Sequence, residues 1–162
     1  GKTVLVLSSG LDQVETYMNY QMTSLVDAKQ LISEMFVQKS KSKEDARADF
    51  RQKVSLAMNS SGFCKPLHVR MANSAFDLAG LCGSEVPSAL FEKKMTVEEA
   101  LGHGFFDDGH KLTLTCDDRW KQFYIVITST FDEAKAKEFL ADKIPFFSEM
   151  AIIIVDPASV AK

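Results

Sequence analysis

Two segments are apolar at consecutive positions, and this pattern predicts strands that are covered on both faces. The first is Lys2–Ser8 (KTVLVLS), and the second is Met150–Val155 (MAIIIV), far along the chain. A strand in the middle of an α/β or α+β sheet carries helices on both faces and so has no polar side. We therefore expect both segments to be strands with two covered faces.

Three further segments show the features of strands. Lys65–Ala72 alternates between apolar and polar residues, which is typical of a half-buried strand. Lys111–Cys116 and Lys121–Thr128 also read as strands, and the short polar stretch Asp117–Trp120 lies between them. Two strands separated by a short turn favour a β-hairpin, so we expect these two to pair antiparallel.

A long helix is predicted from Ser9 to about Val37. Its apolar stripe repeats every seven residues, which places these side chains on one helix face. The stripe is typical either of a helix that faces a core or of a short coiled-coil seam. Since the segment holds fewer than four heptads, the core is favoured. The residues of the stripe are Leu11, Met18, Leu25 and Ile32.

Other helix starts are predicted from side chains that can cap a helix. In each case a serine or threonine is followed three residues later by an acidic residue, the spacing of a capping box. The most charged stretch, Gln38–Lys53, contains one of these pairs and is predicted to be a solvated helix face, with contact to an acidic partner as the alternative. The pairs are Ser42 with Asp45, Ser74 with Asp77, Thr96 with Glu99 and Thr130 with Glu133.

The predicted order of elements is β-α-α-β-α-α-β-β-α-β, which indicates an α+β or α/β fold. We expect a single mixed sheet of about five strands with helices packed on it. The last four elements, ββαβ, match the second half of a ferredoxin-like unit. The 162 residues fit one globular domain, residues 1–162, and the chain shows no repeat or linker that would divide it.

Composition narrows the classes of function. The formal net charge is −3, which argues against a nucleic-acid binder. No apolar run reaches the ~20 residues of a membrane span. Three cysteines at irregular spacing do not make a disulfide framework, so we expect the cytoplasm or another reducing compartment. A targeting segment that had been removed from the chain would direct the protein to another compartment.

The segment 102–118 (GHGFFDDGHKLTLTCDD) holds the densest group of possible metal ligands. The candidates are His103, Asp107, Asp108 and His110, because histidine and aspartate are good ligands for divalent metal ions. Their spacing fixes no geometry, and glycine and aspartate are also ordinary turn residues. The segment is thus interpreted either as a loop or as a metal site, and no cofactor is required by the sequence.

Two other residues could take part in chemistry. Cys82 lies between Gly80 and Gly83 in a predicted loop, which makes it the candidate reactive thiol. Ser9 follows the first predicted strand, where a helix N-terminus could bind an anion, but a glycine fingerprint is missing and a capping role is favoured.

The leading functional hypothesis is a non-enzymatic binding or assembly module. It would contact a protein partner or a second copy of itself through the long helix or the sheet, with no nucleic acid involved. The alternative is a small metal-dependent enzyme or ligand-binding protein with its site in residues 102–118. Phenylalanine and methionine suit an adaptable contact surface, and the candidate surface residues are Met18, Leu25, Ile32, Phe146 and Phe147.

Overall fold

The computed structural model describes residues 3–10, 12–21, 23–59, 66–106 and 116–156. At its centre is one five-stranded sheet in the order β2-β3-β4-β1-β5, in which every neighbouring pair is parallel. The strands are β1 (Val4–Ser8), β2 (Ser24–Asp27), β3 (Leu67–Ala72), β4 (Ile125–Ser129) and β5 (Ala151–Val155).

Eight α-helices lie within the described residues, together with one turn of π-helix at Ser33–Val37 and one 3-10 turn at Phe147–Glu149. The α-helices are α1 (Asp12–Tyr20), α2 (Ala28–Ile32), α3 (Lys43–Asn59), α4 (Leu78–Leu81), α5 (Ala89–Glu92), α6 (Val97–Gly102), α7 (Cys116–Gln122) and α8 (Glu133–Phe139).

The two faces of the sheet are covered unequally. The main core contains alternate residues of β1 to β4 together with side chains of α3 and α8, while the second face carries a small cluster around Val6, Met18 and Val126 under α1. The connection from β1 to β2 runs in one direction along the sheet, and the later connections run in the other. Crossover connections between parallel strands are right-handed, so this change of direction places α1 on one face of the sheet and the later helices on the other face.

Local capping predictions are confirmed at two helices. Ser42 and Asp45 bond reciprocally at the start of α3, each backbone N–H donating to the other side chain. Thr96 and Glu99 make the same reciprocal pair at the start of α6. At α8 the observed cap is Asp132, whose carboxylate accepts from the backbone N–H of Lys135, rather than the predicted Thr130. Capping pairs are local interactions and can be recognised without the fold.

The predicted long helix from Ser9 to about Val37 is wrong. Strand β2 divides it, with Leu25 inside the strand, and Asp27 then caps α2 by accepting from two backbone N–H groups. The strand forms because its backbone pairs with β3 along its whole length. The seven-residue repeat is therefore coincidental, and tertiary pairing decides the structure of these residues.

One sheet of five strands with helices packed on it is confirmed, which places the chain in the α/β class, but the sheet is parallel throughout and not mixed. The predicted hairpin is also wrong, because β4 has β1 on one side and β3 on the other, both parallel. In addition, residues 116–122 form α7, while residues 111–115 lie outside the described residues. The ferredoxin-like arrangement of the C-terminal half is not observed.

Strand β5 differs from its prediction as well. It is the last strand of the sheet and pairs with β1 alone within the described chain. Ile153 is 49% exposed and Ile154 is 61% exposed, although the run of apolar residues predicted two covered faces. Composition cannot tell an interior strand from an edge strand when the sheet order is unknown.

None of the helices in the described part of the chain is both long and apolar enough to cross a membrane.

Candidate ligand-binding crevice at the carboxyl edge of the sheet

A crevice of about 660 Å³ opens at the carboxyl ends of β1, β3, β4 and β5. It lies where β1 and β4 are neighbours and their following connections leave in opposite directions. The connection from β1 passes β4 on the α1 face, and the connection from β4 passes β1 on the opposite face, so the two loops depart to different faces of the sheet. Ligands of open α/β sheets bind outside the carboxyl ends of the strands at such a reversal. The crevice is lined by Leu7, Ser8, Ser9, Asn73, Thr130, Phe131, Asp132, Glu133, Lys135, Ile154, Val155 and Asp156.

The ends of β3 and β4 are joined at the crevice by a compact set of hydrogen bonds. The carbonyl of Ala72 accepts from the backbone N–H of Thr130 at 2.9 Å and from the hydroxyl of Ser129 at 3.1 Å. The Ser129 oxygen in turn accepts from the N–H of Phe131 at 3.2 Å. These bonds fix the loop after β4 against the end of β3, so this wall is preorganised.

Ala72 has an unusual backbone conformation at this position. Its φ is +51°, in the left-handed region that residues with a Cβ adopt at a cost. The pairing register of β3 with β4 also shifts between Arg70 and Ala72. A bulge of this kind redirects the chain next to a site, and here it leads into Asn73, an exposed residue of the crevice wall.

The opposite wall comes from β1 and its following turn. Ser8 is buried, and its hydroxyl donates to the carbonyl of Gly10 at 2.9 Å. This bond closes the turn and leaves Ser9 exposed at the crevice. The sequence predicted that Ser9 caps a helix that starts there, whereas α1 is described from Asp12, and Ser9 lies on the crevice wall.

The crevice carries a net negative charge, and part of its wall is apolar. Asp132, Glu133 and Asp156 contribute three carboxylates and Lys135 one ammonium group, a formal net charge of −2. Asp132 caps α8, and its other carboxylate oxygen lies 3.8 Å from the ammonium of Lys135. Leu7, Phe131, Ile154 and Val155 supply the apolar surface. The arrangement suits a ligand with several hydrogen-bonding groups, one apolar face and no negative charge.

A second polar feature lies under α1, away from the crevice. His68 is only 2% exposed, and its Nε2 is 2.8 Å from the hydroxyl oxygen of Thr128 on β4. Its Nδ1 has no hydrogen-bond partner among the described residues. Burial lowers the pKa of His68 to about 4, with the charge of Arg70 acting in the same direction and that of Asp27 against it. The ring is therefore neutral near pH 7.

The metal site suggested by the sequence is described only at its first residue. His103 follows α6, and its ring stacks on Phe105 with the ring centroids 5.7 Å apart. Asp107, Asp108 and His110 lie outside the described residues, so the site stays a prediction. In the described parts of the chain, no group of three or more histidine, cysteine or acidic side chains is placed to hold a metal ion.

The start of this segment is held by α3. The Arg51 guanidinium donates to the carbonyls of Glu85 at 3.1 Å and His103 at 2.7 Å, and it lies over the ring of Phe105. The carbonyl of Phe105 also accepts from the side chains of Ser55 and Asn59. Contacts of this kind fix a loop on its scaffold.

Cys82 has the environment of a structural thiol. Burial raises its pKa to about 12, the charge of Asp77 acts in the same direction, and that of Arg47 acts against it. The thiol donates to the carbonyl of Leu78 at 3.5 Å. A reactive cysteine needs a lowered pKa, and this geometry provides the reverse.

The five candidate surface residues are spread over different parts of the fold. Met18 and Phe147 are buried, and Met18 packs between α1 and the sheet. Leu25, Ile32 and Phe146 are half-buried on β2, α2 and the turn before the last strand. They do not form one stripe, since the helix that would have aligned three of them is divided.

Most residues of the crevice were not candidates from the sequence. They share a simple signal, because a polar residue follows directly after or near the end of each apolar strand: Ser9 after β1, Asn73 after β3, Thr130 after β4 and Asp156 after β5. In a parallel sheet all these ends meet at one edge. Recognising the strands as parallel would have brought these residues together.

Comparison of the chain with protein family models, with curated proteins and with solved structures finds no match.

Proposed function

We propose that this protein binds a small polar molecule in the crevice at the carboxyl edge of its sheet. The observation that carries the proposal is the position of the crevice, between β1 and β4, where the connections leave in opposite directions. Its volume of about 660 Å³ lies in the range of small-molecule sites. The sequence suggested, as its alternative, a ligand-binding protein with its site in residues 102–118. We propose the ligand site in the crevice, which is formed by other residues.

The chemistry of the lining selects the class of ligand. Ser9, Thr130 and Asn73 offer both donors and acceptors, while the net charge of −2 disfavours anions. The apolar wall fits a ring or a sugar face. The proposed ligand is therefore neutral or cationic, of the size of a nucleoside or a sugar, with several hydroxyl or amino groups.

We also propose that the protein resides in a reducing compartment such as the cytoplasm. This localisation is supported by Cys82, which is a free thiol in the structure. Assembly with a partner, the function that the sequence favoured first, would use the sheet, the other surface named in that hypothesis, because β2 divides the predicted helix from Ser9 to about Val37.

The test uses a defined set of probes: adenosine, uridine, glucose, glucosamine, spermidine and, as an anion, ATP. Binding is measured by changes in backbone amide NMR signals of the whole chain. We expect at least one neutral or cationic probe to shift the signals of residues 72–73 and 129–132, and ATP to have the weakest effect.

A blocking variant gives the control. Asn73→Trp places a large ring at an exposed position of the crevice wall, and Glu98→Trp makes the same change on α6, an exposed helix face outside the crevice. Binding should be lost in the first variant and kept in the second. The proposal is refuted if no neutral or cationic probe binds, or if binding survives Asn73→Trp.

A further inference from the structure

In the described part of the chain, strand β5 is an edge strand of a parallel sheet. It pairs with β1 over residues Ala151–Val155, and no strand of the described chain lies on its other side. The backbone N–H and C=O groups that point away from β1 can therefore pair with another extended chain. Parallel sheets normally have such edges covered or short, because an unpaired edge is a template for association.

The side chains of this edge are apolar on both faces of the sheet. Ile153, which aligns with Val6, lies on the α1 face and is 49% exposed. Ile154, which aligns with Leu7, lies on the opposite face and is 61% exposed. None of the five residues of β5 is charged or a proline. The usual devices that protect an edge strand are missing from β5 itself.

The sequence of β5 is nearly symmetric about its centre. Reading AIIIV in reverse gives VIIIA, so antiparallel pairing with an identical strand about Ile153 keeps apolar residues opposite one another. Ile153 would face its own counterpart, Ile152 would face Ile154, and Ala151 would face Val155. The acidic Asp156 would then lie opposite Met150, so like charges do not meet there. Cross-strand pairs of β-branched residues stabilise such a contact.

We propose that two copies of this chain associate through β5, paired antiparallel about a two-fold axis at Ile153, to form a continuous ten-stranded sheet. A two-fold contact uses the same patch on both copies, and the near-symmetry of β5 meets this requirement. The occupant of the edge is thus a second copy of the chain. Because an edge contact of five residues buries a small area, the dimer is in equilibrium with the monomer at accessible concentrations.

Sedimentation velocity across a hundred-fold range of protein concentration measures this equilibrium. We expect a dimer that dissociates on dilution. Ile153→Lys should weaken it at least tenfold, since the two ammonium groups would meet at the axis. The matched control is Leu56→Lys, which changes a similarly exposed residue (52%) on α3 and should leave the equilibrium unchanged.

Cross-linking tests the register and does not depend on the lysine variant. Residues on the axis face themselves, so Ile153→Cys should form a disulfide between the two introduced thiols under mild oxidation, identified by mass spectrometry. Leu56→Cys should not form the corresponding link. A chain that is monomeric at every concentration, or a dimer that persists in Ile153→Lys and is not cross-linked in Ile153→Cys, overturns the proposal. Ile153 does not line the crevice, so loss of the dimer and loss of ligand binding are separate results.

Discussion

The side chains of His68 on β3 and Thr128 on β4 meet across neighbouring strands beneath α1, with the imidazole Nε2 2.8 Å from the threonine hydroxyl oxygen. The pair sits on the sheet face that one helix covers, beside the ion pairs of Arg70 with Asp27 and Glu15. A neutral imidazole can hydrogen-bond to Thr128 without adding charge, whereas a protonated one would place a second positive charge near Arg70. The buried face under α1 is therefore sensitive to the protonation of His68.

We predict that stability falls as the pH is lowered from about 6.5 to 4. The pKa of His68 is about 4 in the folded chain, against an ordinary value of 6.5. The unfolded chain therefore binds more protons within this window, and protonation favours unfolding. The full loss is about 3 kcal/mol, from about 1.4 kcal/mol for each pKa unit. Urea unfolding at a series of pH values measures it.

His68→Gln provides the control, since glutamine can keep a hydrogen bond to Thr128 but does not titrate. Carboxylates contribute to the pH dependence of both proteins, so the difference between the two curves isolates the histidine. Equal slopes in the wild type and the variant would show that His68 does not cause the loss.

Ala72→Gly should stabilise the fold. Glycine adopts the positive φ of +51° without the Cβ clash, which costs other residues about 1–2 kcal/mol. The greater freedom of glycine in the unfolded chain offsets part of this gain, so we expect about 0.5–1 kcal/mol of net stabilisation. Ala48→Gly, at an exposed position inside α3, should destabilise by about 1 kcal/mol. A destabilised Ala72→Gly would mean that the methyl group packs favourably.

Arg51→Ala should lower the free energy of unfolding by about 1.5–3 kcal/mol, the range for hydrogen bonds that involve a charged group. The guanidinium joins α3 to the carbonyls of Glu85 and His103. Hydrogen exchange should also increase at the amides of residues 103–106. The neighbouring Gln52→Ala, at an exposed position of the same helix, serves as the control. If the two variants are equally stable, the bonds of Arg51 contribute nothing measurable.

Cys82 should react slowly with iodoacetamide in the folded chain. Raising the thiol pKa from 9.0 to about 12 lowers its thiolate fraction near pH 8 by about a thousandfold, and only the thiolate is an effective nucleophile. Peptide mass spectrometry after timed labelling measures the rate at this residue, with the same chain in urea as the reference. Rapid labelling in the folded state would restore Cys82 as a candidate reactive thiol.

The sequence predicted features that depend on local interactions. The segments of β1, β3, β4 and β5 were recognised from runs or alternation of apolar residues, and the starts of α3 and α6 from their capping pairs. These signals involve residues a few positions apart, so they are visible without knowledge of the fold. The class of the fold followed from the order of these elements.

The tertiary structure alone decided the features that depend on distant pairing. Ser24–Asp27 is a strand because β3 lies beside it, and the edge position of β5 among the described strands follows from the order of the sheet. The crevice has the same origin, since Ser9 and Thr130 line one space although 121 positions of sequence separate them. Strand order is set by how the helices pack on the two faces of the sheet and by the handedness of the crossovers. Neither can be deduced from the residues of a single strand.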